Sequence, residues 1–127
     1  MDLEALRLAE EFFSRKPEYL PVVRAFLLGA LERWPGTEIV TQKSQVGLRD
    51  PRPYCALWLP THGGVKNRNC VMLSLFLPER LDSPRVAAAA EPYPGRWTTH
   101  FCLTDPEELD EELWAWTARA RRFRCGK

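Results

Sequence analysis

The hydrophobic period of this chain changes twice, and few folds accommodate both changes. Up to Trp34 the apolar residues recur at helical spacing. After Pro35-Gly36 the period switches to two in a series of strand-like segments that ends at Leu103, and after Asp105-Pro106 the helical spacing returns. A helix carries its apolar residues in one stripe, whereas a strand sends successive side chains to opposite faces. The order helices, then strands, then helix therefore predicts an α+β fold. Its antiparallel sheet has about 4–5 strands, packed with N-terminal helices and a closing C-terminal helix.

The element limits follow from local chemistry. Leu3 to Phe13 reads as a short helix capped by Asp2, with Leu6, Ala9 and Phe13 on one side. Ser14-Arg15-Lys16-Pro17 breaks it, because the residue before a proline avoids the helical region. A second helix runs from about Glu18 to Trp34, with Pro21 in its first turn, where the missing N–H costs little. Its stripe is Leu20, Val23, Leu27, Ala30 and Leu31. The last helix starts at Pro106 behind Thr104 or Asp105. It lines Leu109, Leu113, Trp116, Ala120 and Phe123 on one face and leaves Trp114 off that stripe, exposed. Arg119, Arg121 and Arg122 suit the negative end of its dipole.

Between the helices, strands are expected at Glu38–Thr41, Ser44–Arg49, Tyr54–Leu59, Cys70–Leu77 and Arg96–Leu103. Cys70–Leu77 is apolar on both alternations, the pattern of a central strand covered on both faces. Pro78 to Gly95 reads as irregular. A helical turn is expected over Val86–Ala90, and Pro84, Pro92 and Pro94 bar anything longer. The turn Asp50-Pro51-Arg52-Pro53 and the Gly63-Gly64 loop separate strands. No repeat, low-complexity tract or linker divides the chain, and a single domain over residues 1–127 is expected.

Composition narrows the function classes. The chain has 18 Lys+Arg against 17 Asp+Glu, so no global field argues for nucleic acid or an anionic membrane. The apolar runs are too short to span a bilayer, and Met1-Asp2-Leu3-Glu4 does not resemble an export signal, which implies a cytoplasmic location. In that compartment Cys55, Cys70, Cys102 and Cys125 are expected as reduced thiols. None forms the sequence-close pair that a thiolate zinc site uses. With two histidines, His62 and His100, no histidine-rich metal site is expected, and no cofactor motif is present. No glycine-framed serine marks a hydrolase.

Three polar stretches remain. Gln42-Lys43-Ser44-Gln45 interrupts the point where one strand hands over to the next. It reads either as a solvated corner or as a place where Lys43 and Gln45 meet a ligand on one sheet face. Arg96-Trp97-Thr98-Thr99-His100 puts Arg96, Thr98 and His100 on one face and Trp97 on the other. That arrangement suits a carboxylate or phosphate, or else a cross-strand salt bridge. Arg85 either joins this cluster or faces water. The basic C-terminal stretch around Arg121-Arg122-Phe123-Arg124 reads as a helix end favoured by its dipole rather than a nucleic-acid patch.

The segments Glu38-to-Leu48, Leu81-Asp82-Ser83-Pro84-Arg85, Glu91-Pro92-Tyr93-Pro94-Gly95-Arg96-Trp97-Thr98-Thr99-His100 and Glu108-to-Leu113 carry a resemblance. Over about Tyr19 to Phe123 the chain resembles the bacterial family catalogued as domain of unknown function 5655. The family pattern commonly has a histidine where this chain has Thr99. The chain is also distantly similar to frataxin-like helix-and-sheet domains. Neither resemblance implies an activity, since fold does not confer chemistry.

These readings combine into a non-enzymatic domain that binds a small anionic molecule through Lys43, Gln45, Arg85, Tyr93, Arg96, Trp97 and His100, without metal or cofactor. The alternatives are a homodimerisation or protein-interaction module motivated by an exposed Trp114, and an enzyme using His100 as acid or base. No nucleic-acid or membrane partner is expected.

Overall fold

Asp2 opens the chain as expected, its carboxylate accepting the Ala5 N–H at 3.1 Å to start helix α1 (Leu3–Phe12). The structure, a computed structural model, describes residues 2–60 and 69–126. The loop glycines Gly63 and Gly64, and His62, lie outside these residues. Pro17 begins a single 3-10 turn, Pro17–Tyr19, that runs directly into α2 (Leu20–Arg33). α2 buries Val22, Val23, Phe26, Leu27 and Ala30, a broader stripe than its spacing indicated, because α3 covers the flank carrying Phe26.

The sheet has six antiparallel strands: β1 (Glu38–Thr41), β2 (Val46–Arg49), β3 (Pro53–Trp58), β4 (Val71–Leu77), β5 (Ala88–Tyr93) and β6 (Arg96–Leu103). Their spatial order is β1-β2-β3-β4-β6-β5. The extra strand is β5, which replaces the helical turn expected over Val86–Ala90. Pro92 is tolerated there because β5 is an edge strand whose ladder to β6 is irregular between Ala90 and Tyr93. A two-residue turn, Pro94-Gly95, joins β5 to β6. Gly95 sits at φ +76°, a conformation open to glycine at no steric cost.

One face of the sheet takes the helices. Val46, Leu48, Cys55, Leu57, Val71, Leu73, Leu75, Leu77, Phe101 and Leu103 belong to one alternation and share a core with α1, α2 and α3. The register aligns Leu48, Cys55, Leu75 and Thr99 across four strands. The opposite alternation aligns Gly47, Ala56, Ser74 and His100, and next to them Trp58, Met72 and Cys102. β4 is central and buried on both alternations from Val71 to Leu75, in keeping with its continuous apolar sequence.

The C-terminal helix departs from expectation in two ways. Asp105 caps only a 3-10 turn, Pro106–Glu108, through a reciprocal capping box. Asp110 then caps α3 proper (Glu111–Cys125) by accepting the Leu113 N–H. Two N-cap carboxylates in close succession give two helix starts where one was expected. The second departure is Trp114, which is 9% exposed, whereas Phe123 from the expected stripe is 38% exposed. Trp114 lies parallel to Phe26 with ring centroids 5.1 Å apart, and the Arg33 guanidinium sits 4.0 Å from its ring. The space for it comes from Gly29, where a Cβ would fall 2.6 Å from the indole.

Two arginines of α3 are paired with carboxylates elsewhere in the chain. Arg121 donates to Asp50 Oδ2 from Nε at 3.1 Å and from Nη2 at 2.7 Å, fixing the β2–β3 turn to the helix. Arg119 pairs with Glu79. No helix among the described residues is long and apolar enough to cross a membrane.

Gly29→Ala is expected to destabilise the protein by about 1–3 kcal/mol through overpacking. Combining it with Trp114→Phe, which removes the clashing ring, should cost less than the two single changes summed. Urea denaturation of the four-member cycle measures this; strict additivity would remove Gly29 as the reason Trp114 fits.

Candidate functional site

The face of the sheet opposite the helices carries a cavity of about 500 Å³. Its floor is built by register. Ser74 on β4 stands opposite Ala56 of β3 and His100 of β6, with Trp58, Phe76 and Thr98 on the same alternation. The β1–β2 hairpin supplies one wall. Gln42 N–H donates to the Gln45 carbonyl at 2.8 Å, and Gln45 Nε2 donates to Gln42 Oε1 at 3.0 Å. This double clasp closes a tight turn, so β2 begins at Val46 rather than Ser44, and Lys43, Ser44 and Gln45 all border the cavity. Arg15, from the segment between α1 and the 3-10 turn, completes the rim, with its guanidinium 5.7 Å from the Phe12 ring.

A hydrogen-bonded chain crosses the floor. The Trp58 indole N–H donates to Ser74 Oγ at 2.7 Å, and Ser74 Oγ lies 2.7 Å from His100 Nδ1. The indole can only donate, so the serine oxygen is the acceptor in that bond. If the Ser74 hydroxyl in turn donates to Nδ1, all three groups are satisfied, and the neutral imidazole carries its proton on Nε2 as a donor. The Trp58 ring meets the imidazole edge-on, with centroids 5.5 Å apart and an interplanar angle of 83°. Burial lowers the His100 pKa from its ordinary value, which favours the neutral ring at pH 7.

This arrangement is poorly suited to nucleophilic catalysis at Ser74. The residue is 3% exposed, and the Trp58 N–H occupies its oxygen. Among the described residues no group of three His, Cys, Asp or Glu is placed to hold a metal. The cavity instead presents hydrogen-bond donors and cations over an aromatic floor.

The seven residues singled out in the sequence divide among three places. Lys43, Gln45 and His100 come together at this cavity. Tyr93, Arg96 and Trp97 line a separate recess of about 190 Å³ beside Phe123 and Arg124, where the Pro94-Gly95 turn sets Tyr93 opposite Arg96. Arg85 is committed elsewhere. It donates to both oxygens of Asp110 at 2.9 and 3.1 Å, to Glu112 at 3.0 Å and to the Glu108 carbonyl at 2.8 Å. Its hydrogen bonds hold the Asp110 carboxyl below the usual carboxylate range. Arg15, Trp58, Ser74 and Phe76 were not singled out. The three strand residues read as core positions in an apolar run, and Arg15 reads as a helix-ending polar residue.

The family model described as domain of unknown function (DUF5655) matches residues 9–123. The chain belongs to this family. No curated protein and no solved structure matches it. Within this DUF5655 domain Thr99 is fully buried on the helix side, and its hydroxyl has no hydrogen-bond partner among the described residues. The cavity on the opposite face is therefore formed by His100 and not by its neighbour.

His100 also links pH to stability. Its pKa is lower folded than unfolded, so the unfolded chain binds the extra proton first, and stability falls as pH drops below about 6.5. His100→Asn, whose Oδ1 can accept the Ser74 hydroxyl, should flatten the melting temperature between about pH 7 and pH 5. An unchanged slope in the variant would assign the dependence to other groups.

Proposed function

We propose that this domain binds a small anionic molecule, with a flat apolar part, in the cavity on the helix-opposed face of the sheet. One observation carries the reading: among the described residues two cations, Arg15 and Lys43, border the cavity and no carboxylate lines it. Nor does either cation pair with a carboxylate among the described residues. In a chain of nearly balanced charge, such local segregation of sign favours an anion.

The roles follow from the chemistry of each group. Lys43 and Arg15 neutralise a carboxylate or phosphate, the guanidinium offering a planar fork and the ammonium a point charge. Ser44, Gln45 and Thr98 supply hydrogen bonds, and His100 Nε2–H adds one from the floor. Trp58 and Phe76 give a planar ligand an aromatic surface. The cavity volume falls in the range of small-molecule sites. Binding is favoured over hydrolysis because Ser74 is occupied by Trp58, and over protein docking through Trp114 because that side chain is internal.

A thermal-shift screen of small mono- and dicarboxylates, phosphate esters and nucleotides tests this. A ligand at about 100 times its dissociation constant stabilises by roughly 2.7 kcal/mol, a rise of roughly 10 °C for a domain of this size. Lys43→Ala and Arg15→Ala should each lose most of that rise, and Arg96→Ala, in the separate recess, should keep it. Stabilisation by uncharged or cationic ligands that persists in the Lys43 and Arg15 variants would exclude the anion reading.

A further inference from the structure

A second group of side chains stands beside this cavity on the same face of the sheet. Met72 of β4 lies opposite Cys102 of β6, and Cys70 stands just before β4 begins at Val71. The Cys70 thiol approaches Met72 Sδ at 3.6 Å and the Cys102 thiol approaches it at 3.5 Å. Met72 is fully buried, and Cys70 is 4% exposed. Two thiols thus meet the same thioether sulfur, Cys102 brought there by the β4–β6 register and Cys70 by the segment leading into β4.

We propose that Cys70, Met72 and Cys102 form a binding site for a soft monovalent metal ion, with Cu(I) as its natural occupant. Geometry supports this first. At a metal–sulfur bond length of about 2.3 Å, neighbouring sulfurs in a trigonal or tetrahedral set lie roughly 3.8–4.0 Å apart. The two sulfur–sulfur separations here need only a few tenths of an ångström of opening to admit an ion. The donor set then decides which ion. Two thiolates with a thioether are soft ligands, and a thioether contributes little to a hard or borderline cation but binds Cu(I) well.

Binding is a simple exchange. Both thiols release their protons, two metal–thiolate bonds form, the thioether donates a lone pair, and no redox step is required. The other two cysteines take no part. Cys55 faces the helix-side core, where burial raises its thiol pKa, and Cys125 ends α3 with its thiol against the Arg52 carbonyl. On the far side of Met72 stands Trp58, paired with it across β3 and β4, so an ion at this site lies near an indole whose emission can report it.

The test is an anaerobic titration of the reduced protein with Cu(I) against a chromophoric Cu(I) chelator. The expected result is one Cu(I) taken from the chelator per chain, two protons released and tryptophan emission quenched. Cys102→Ser should abolish capture, Met72→Leu should weaken it by more than about tenfold, and Cys125→Ser should leave it unchanged. Circular dichroism checks each fold, and if Cys102→Ser fails to fold, Met72→Leu decides. No capture by the wild-type chain, capture undiminished in Met72→Leu, or tighter binding of Zn(II) than of Cu(I) overturns the assignment.

Discussion

The register of β4 between β3 and β6 governs the whole open face of the sheet. In its observed alignment Ser74 meets His100, and Met72 meets both Trp58 and Cys102. Side chains repeat with a period of two, so a slip of one residue would turn Leu73 and Leu75 outward and bring Met72 and Ser74 into the helix-side core. Taking the two leucines out of the core they fill, and putting the Ser74 hydroxyl there without Trp58 and His100, would cost several kcal/mol. The helix-side core therefore locks the polar row on the other face. Packing that touches neither the cavity nor the sulfur cluster still determines both.

Charge is arranged by the same division. Arg85 and Arg121 are tied to carboxylates at the junctions of elements: Arg85 joins the segment before β5 to the start of α3, and Arg121 joins α3 to the β2–β3 turn. Breaking the well-buried Arg121–Asp50 pair from one side would leave an uncompensated charge at a seam of the fold, which is costly. Arg15 and Lys43 sit at loop and hairpin positions where the backbone is already held by its own hydrogen bonds. Their side chains are not needed to hold elements together and remain available at the cavity rim.

Much of the fold was legible because it rests on period and caps. Asp2, the Pro17 break, Pro21 and the apolar run of β4 each have one local meaning, and each keeps it in the structure. Elements decided by distant partners were not legible. β5 forms because β6 offers an unpaired edge, and its alanines and Pro92 give no strand signal of their own. Trp114 is buried because Gly29, far away in sequence, leaves a gap. The candidate site was legible in part. Lys43 and Gln45 stand out in a polar run between two strands and His100 as an imidazole within a strand, whereas Arg15 and Trp58 join them only through the tertiary fold. Met72 was hidden for a chemical reason: a thioether in a strand reads as hydrophobic filling until two thiols are found against it.

The edge strands carry one more consequence. β1 has only four residues, and β5 bears Pro92, Pro94 just beyond it and an irregular ladder. A sheet grows by adding a chain to a long, flat, regular edge, and neither border of this sheet is one. Self-templated strand addition, the common route from exposed sheets to fibrous aggregates, is thus obstructed at both ends. If copies of this chain associate, they meet through surfaces of side chains and not by lengthening the sheet.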